Sequence, residues 1–237
     1  MKNFLIIFLL LPVLVMSQSN FERGQRLFEE GKTDQAEIVF KSILKSEPSN
    51  LKVVEYLGDI AGINKSWDEA LSYYEKLKIA RPTEADYFYK YGGALGMKAL
   101  EVNKFKALGM IDDVKGSFEK AIKLDPKHLE ARWALIELYL KLPGIVGGSE
   151  SKAIRYSAEL MRLSPVDGNL SRGHIEEYFK RYSKAEQYYK KAIAIGNSKV
   201  SYQKLADLYK NKMNNPEKAS ETLLQYKNSG SAGKKNI

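Results

Sequence analysis

The stretch Lys52–Pro82, KVVEYLGDIAGINKSWDEALSYYEKLKIARP, decides how the rest of the chain is read. It holds two helical patterns of apolar residues. Leu57, Gly58 and Ala61 mark the first; Ala70, Tyr74 and Leu77 mark the second, which Pro82 stops. Asn64-Lys65-Ser66 reads as the turn between them, with Ser66 as the expected cap of the second helix. Thirty-four residues earlier, Gly24, Ala36, Phe40 and Pro48 stand where Gly58, Ala70, Tyr74 and Pro82 stand. A small residue at Gly24 and at Ala36 lets two helices cross closely, and Phe40 fills the space between units. Such a helix pair cannot bury its apolar face alone, so it must stack on its neighbours.

The unit recurs along the chain. Gly92 lies 34 residues beyond Gly58, and SFEKAIKLDP closes a third unit with Phe118, Ala121 and Pro126. Pro126 lies 44 beyond Pro82, so ten residues have been added. The surplus, around Lys98 to Asp113, has no proline and keeps apolar spacing through Leu100, Phe105, Leu108 and Ile111. This predicts two lengthened helices with a protruding tip rather than a loop. A fourth unit carries Trp133, Leu135 and Tyr139, then Ala153, Leu160 and Pro165. Its extra residues, Leu142 to Glu150 (LPGIVGGSE), read as a glycine-rich loop with Ser149 capping the helix after it. In a fifth unit, a first helix from Asn169 to about Lys180 carries Gly173, followed by Ala185, Tyr189 and Ala192. A weaker sixth has Tyr202, Leu205, Ala206 and Tyr209, then Pro216, Ala219, Leu223 and Tyr226. Asn228–Ile237 is a polar tail expected to be disordered.

A two-helix unit of about 34 residues closed by proline resembles the tetratricopeptide repeat (TPR) family. The PGIVGGS-type loop before a Lys-Ala helix start resembles exported bacterial members. The resemblance implies an all-α, right-handed α-solenoid of about six helix-turn-helix repeats over 18–227, the third with an elongated hairpin, and no sheet. It also implies that the first helix of each pair lines a groove. The inward positions are then Phe21, Gln25 and Phe28 in the first repeat, Glu55 and Asp59 in the second, and Tyr89, Gly93 and Met97 in the third. Trp133, Glu137 and Leu140 follow in the fourth, with Leu170 and His174 in the fifth. Gly93 and Gly96 are expected to face the groove or a neighbouring helix. The family's C-terminal-carboxylate clamp would fall on Phe21, Gln25, Tyr56, Asp86 and Lys90, where only Lys90 is basic.

The N-terminus is separate in character. Lys2 precedes an apolar run from Phe4 to Val15, and Val15-Met16-Ser17 offers small residues before Gln18. Residues 1–17 therefore read as a secretory signal peptide, too short to span a bilayer as an anchor. The expected location is periplasmic or secreted, with no membrane span after cleavage. There is no cysteine, which removes disulfides, thiol chemistry and lipid attachment at a cysteine. The net charge of +9 comes from basic residues interleaved with acids, as in EEGKTDQAE. That is the pattern of a solvated face and not of a nucleic-acid stripe, although it favours an anionic partner or envelope surface.

Chemistry has little to stand on. His128, read as a turn residue, and His174, read as mid-helix, are the two histidines, each expected at the surface or in the groove. No HExxH, GxSxG or phosphate-loop string occurs, and no clustered ligands suggest a metal or cofactor. The expected function is a non-enzymatic scaffold of the bacterial cell envelope that holds a peptide or partner protein in the groove. The alternative is a small-ligand or substrate-delivery protein in which the third hairpin, Gly93, Gly96 and Trp133 enclose a pocket or pore.

Overall fold

The computed structural model describes residues 20–232, so residues 1–17, read as a leader, lie outside the described residues. Among the described residues there are twelve α-helices, one short 3-10 turn and no strand. The helices fall into two compact units. The first, ending at Leu124, holds α1 (20–29), α2 (Thr33–Ser46), α3 (Leu51–Ile63), α4 (Trp67–Ala80), α5 (Ala85–Glu101) and α6 (Lys104–Leu124). The second, from Asp125, holds α7 (Leu129–Lys141), α8 (Glu150–Leu163), α9 (Pro165–Tyr178), α10 (Tyr182–Gly196), α11 (Lys199–Asn211) and α12 (Pro216–Ala232). In each unit consecutive helices pack as hairpins, and each hairpin packs on the next.

The glycines of the first helices set how closely each hairpin can close. A Cβ on Gly24 would meet the Phe40 ring at 2.7 Å, and one on Gly58 the Tyr74 ring at 2.6 Å. Gly92 stands likewise against Ser117 at 2.9 Å and Gly173 against Tyr189 at 2.5 Å. An aromatic ring of the second helix thus lies directly on the backbone of the first. Phe40 and Tyr189 are fully buried there, together with Ala36, Ala70, Ala121 and Ala185.

Capping residues start most helices. Asn50 accepts the Val53 N–H at 3.2 Å, Ser149 that of Lys152 at 3.3 Å, and Ser164 that of Asp167 at 3.3 Å. Ser66 makes no such bond, contrary to expectation, because its backbone and Lys65 (φ 58°) form the turn itself. His128, expected at the surface or in the groove, is buried; its Nδ1 accepts the Ala131 N–H at 3.2 Å and caps α7. The first helix of the fifth hairpin begins four residues earlier than its apolar pattern indicates, since Ser164-Pro165 forms a cap and first turn. In the 142–150 loop Gly147 takes φ 103°, and a Cβ on Gly148 would lie 1.8 Å from the Leu142 carbonyl oxygen.

The ten added residues of the third repeat are helical. Helix α5 has 17 residues against 13 in α3, and α6 has 21 against 14 in α4, while the turn is one residue shorter. At the other end, α12 runs on to Ala232, through the start of the tail expected to be disordered. Tyr226 packs against Tyr202 at 5.4 Å, and Ser229 Oγ donates to the Tyr226 carbonyl at 2.9 Å, which carries the helix past Asn228. Residues 233–237 lie outside the described ones.

Candidate partner-binding faces

In the first unit, the positions predicted to face a groove lie on α1, α3 and α5, and much of that face is already engaged between repeats. Phe21 and Phe28 are half-buried, meeting the Tyr56 ring edge-on at 5.9 and 5.2 Å, while Tyr56 stacks on Phe40 at 4.7 Å. Gln25 Nε2 donates to Tyr56 Oη at 2.9 Å. These three predicted anchors therefore join one repeat to the next. The pattern repeats one unit later, where Lys90 Nζ on α5 donates to Asp59 Oδ2 at 2.7 Å and to Glu55 Oε1 at 2.6 Å. Gln25–Tyr56 and Asp59–Lys90 each span 31 positions, the repeat length less about one helical turn.

The two predicted acids, Glu55 and Asp59, thus share one ammonium within the chain. Burial pushes the Lys90 ammonium down, but the Asp59 and Glu55 carboxylates outweigh it and hold the group above the usual lysine value. Asp59 also accepts the Tyr74 hydroxyl at 2.8 Å. Burial and that carboxylate together keep Tyr74 protonated far above the ordinary tyrosine range. The remaining side of this face is α5. Tyr89 is half-buried, 6.0 Å from Phe118; Met97 is exposed; and a Cβ on Gly93 would meet nothing within 4 Å. A Cβ on Gly96 would touch Val114 at an ordinary 3.5 Å, so this glycine faces its neighbour helix.

In the second unit, Trp133, Glu137 and His174 come together. Trp133 Nε1 donates to Asp167 Oδ1 at 3.1 Å, and its ring lies 6.4 Å from that of His174. His174 Nε2 stands 2.5 Å from Glu137 Oε1, with Lys141 Nζ 3.3 Å from Oε2. The His174 hydrogen bond leads in drawing the Glu137 carboxyl down to about 2. Leu140 and Leu170, predicted to line the groove, are instead core residues, exposed by 4% and 7%. Helix α7 packs against both α8 and α9, and α9 against α7, α8, α10 and α11, so their buried faces are wider than one apolar stripe. Leu170 joins Tyr189 and Leu205 in one cluster.

Below this cluster, Glu176 is fully buried between Arg172, at 2.9 Å, and the Arg181 guanidinium, which also reaches Glu150. Tyr56 and Lys90, named above only as clamp positions, and Asp167, not named at all, complete the faces; the first two stand 31 residues beyond Gln25 and Asp59, and Asp167 stands 34 beyond Trp133. Two clefts are open at the surface of the first unit. One, of about 460 Å³, is lined by Lys65–Glu69, Lys98, Glu101 and Val102; the other, of about 250 Å³, lies at Leu51, Arg81 and Tyr87. Among the described residues no group of three or more His, Asp or Glu could hold a metal ion, and no helix is long and apolar enough to cross a membrane.

A stack of hairpins closed by small-on-aromatic contacts defines a helical-repeat protein. Tetratricopeptide repeat models match residues 21–85 and 166–195, so the chain carries repeats of that type, and it has the fold of an α-solenoid. Solved TPR structures share the fold at low identity. A thermophilic TPR protein of Thermus thermophilus matches with a TM-score of 0.64 and 16% identity, over 88% of this chain and 99% of that one. YrrB, described as a TPR protein with an unusual peptide-binding site, matches at 0.50 and 18%, over 77% and 87%. The human IFIT1 dimer with m7Gppp-AAAA matches at 0.66 and 20%, over 89% of this chain but 54% of that one. No curated protein sequence matches the chain.

Proposed function

We propose that the chain is an exported, non-enzymatic scaffold of the bacterial cell envelope that lays a peptide or partner protein along its first-helix faces. TPR proteins serve in general as protein-interaction scaffolds, and the N-terminal pattern of residues 1–17 supports export. The observation that carries the reading is the notch on α5. Pairing between repeats, Gln25 with Tyr56 and then Asp59 with Lys90, ends at Gly93, whose missing side chain leaves open space beside Tyr89 and Met97. A partner backbone can approach closely there, with aromatic and thioether groups at hand. A protein partner fits this face better than a nucleic acid, because the Lys90 ammonium is held by two carboxylates.

Gly93→Arg tests the reading. An arginine there meets no atom of this chain at Cβ, and it removes a mid-helix glycine that costs roughly 0.5–1 kcal/mol. The variant is expected to melt at or above the wild-type temperature while losing most of the partner recovered by cross-linking in intact cells. Full partner recovery by a folded variant would remove α5 from the binding face. Export is checked separately by sequencing the mature N-terminus, expected at Gln18.

One observation favours a small ligand, at a different place from the enclosure expected at Gly93, Gly96 and Trp133. The 460 Å³ cleft contains Trp67, whose buried indole N–H meets no acceptor among the described residues. A ligand carbonyl or phosphate placed there would quench Trp67 fluorescence in a titration.

A further inference from the structure

The end of the α5–α6 hairpin carries apolar side chains that no described residue covers. Phe105 is 89% exposed, Leu100 69%, Leu108 46% and Met97 44%. Single exposed apolar residues need no explanation, but four at one hairpin end form a patch. The patch sits on ordered helix, in the last turns of α5 and the first turns of α6, joined by Val102-Asn103. Asn103 caps α6 by accepting the Lys106 N–H at 3.1 Å, so the tip is rigid and not a frayed loop. Lys104 and Lys106 flank Phe105; both are exposed, and neither pairs with a carboxylate among the described residues. Lys98 is bonded to Asp68, Glu101 is the one acid in the tip itself, and Asp112 and Asp113 follow further along α6.

We propose that this tip docks the protein onto an anionic lipid surface, with Phe105, Leu100 and Leu108 entering the headgroup–acyl boundary and Lys104 and Lys106 meeting the headgroups. The chemistry is that of an interfacial anchor, apolar side chains in the plane of the boundary beside lysines that stay hydrated on long stems. The charge is complementary twice over, locally through the two lysines and globally through a net charge of +9, which is +8 once Lys2 leaves with residues 1–17. A second copy of the chain is the poorer occupant. A stable dimer takes about 800 Å² and some 20–30 residues from each partner, far more than four side chains at a hairpin end. Lipid association needs only a few apolar groups with basic neighbours.

The absence of cysteine allows a direct test in the full chain. Glu101→Cys at the tip and, as a control, Gln203→Cys on the exposed side of α11 are each labelled with a polarity-sensitive dye. Vesicles of phosphatidylcholine with phosphatidylglycerol are compared with phosphatidylcholine alone. Expected is a blue shift at position 101 on the anionic vesicles only, with position 203 unchanged. Lys104→Gln with Lys106→Gln should weaken partitioning about 30-fold, at roughly fivefold per lysine. Phe105→Ser with Leu108→Ser should weaken it at least about tenfold, with the circular-dichroism melt unchanged. The proposal is overturned by no shift at 101, by equal shifts at 101 and 203, or by an equal response to neutral vesicles. Variants that bind as well as the wild type would also overturn it. So would a concentration-dependent shift without lipid accompanied by self-association in sedimentation, which would give the tip to a second copy.

Discussion

Replacing Glu176 by Gln removes one negative charge from the interior of the second unit while keeping the side chain's shape. That side chain is 2% exposed and accepts from Arg172 Nη2 at 2.9 Å, from Arg172 Nε at 3.0 Å and from Arg181. Charge-assisted bonds contribute about 1.5–3 kcal/mol each against about 0.5–1.5 for neutral ones, so losing the charge against two arginines costs about 2–3 kcal/mol. The new amide must also turn its NH₂ toward one guanidinium, which leaves a buried donor without an acceptor and adds about 1 kcal/mol. The sum, about 3–4 kcal/mol, lies at the lower end of what breaking a buried pair costs. It stays at that end because Arg172 and Arg181, at 26% and 33% exposed, can recover some water. For a chain of this length, that lowers the melting temperature by roughly 10 °C. The assay is thermal and urea unfolding at neutral pH, repeated in about 1 M salt. Buried charges are little screened, so the loss should persist there, whereas removing the surface pair Lys190–Glu186 should cost about 0.3–0.5 kcal/mol and fade. A loss under about 1 kcal/mol, or one that vanishes in salt, would refute the view that Glu176 ties α9 to the turn before α10.

Gly58→Ala should destabilise by about 1–3 kcal/mol in urea unfolding, because its Cβ would sit 2.6 Å from the Tyr74 ring and push that hydroxyl off Asp59. Ser149→Ala should cost about 1 kcal/mol as a lost cap, and Ser66→Ala close to nothing, since Ser66 bonds no backbone N–H; equal losses would contradict the cap assignment. Glu137 is held down to about 2 from an ordinary 4.5, so its contribution is complete above pH 4.5 and disappears as pH falls from there towards 2. In full, that difference corresponds to about 3 kcal/mol, and solvent at a side chain 37% exposed reduces it to about 1 kcal/mol. The stability gap between wild type and Glu137→Gln should therefore close on acidification, and a gap constant from pH 7 to 2 would show that the His174 contact contributes nothing.

The repeat was legible from Gly24, Gly58 and Gly92 because each answers a local demand, a ring from the following helix that leaves no room for a Cβ. The extra ten residues were legible for a similar reason, since a stretch with helical apolar spacing and no proline has no means of forming a loop. The faces were harder to read. A period identifies which helices share a wall, but not what stands one turn back on the next helix, and it is there that Tyr56 covers Phe21 and Phe28 and Lys90 neutralises Asp59. Leu140 and Leu170 failed for want of a neighbour count, because a helix with two or more packed neighbours buries positions that a single stripe would leave open.

What separates a mortar residue from a binding residue is therefore its partner 31 positions on. Gln25 and Asp59 have one, and Gly93, in the same register, has no side chain with which to continue the pairing. If that gap served only helix packing, a Cβ at Gly93 would strike a neighbour as it does at Gly24, Gly58 and Gly92; instead it meets nothing within 4 Å. A glycine placed mid-helix without a steric reason costs stability and gains nothing for the fold alone. Gly109 and Gly116 in α6 are equally open, so what sets Gly93 apart on the proposed reading is its register with Gln25 and Asp59, where a partner backbone would come close.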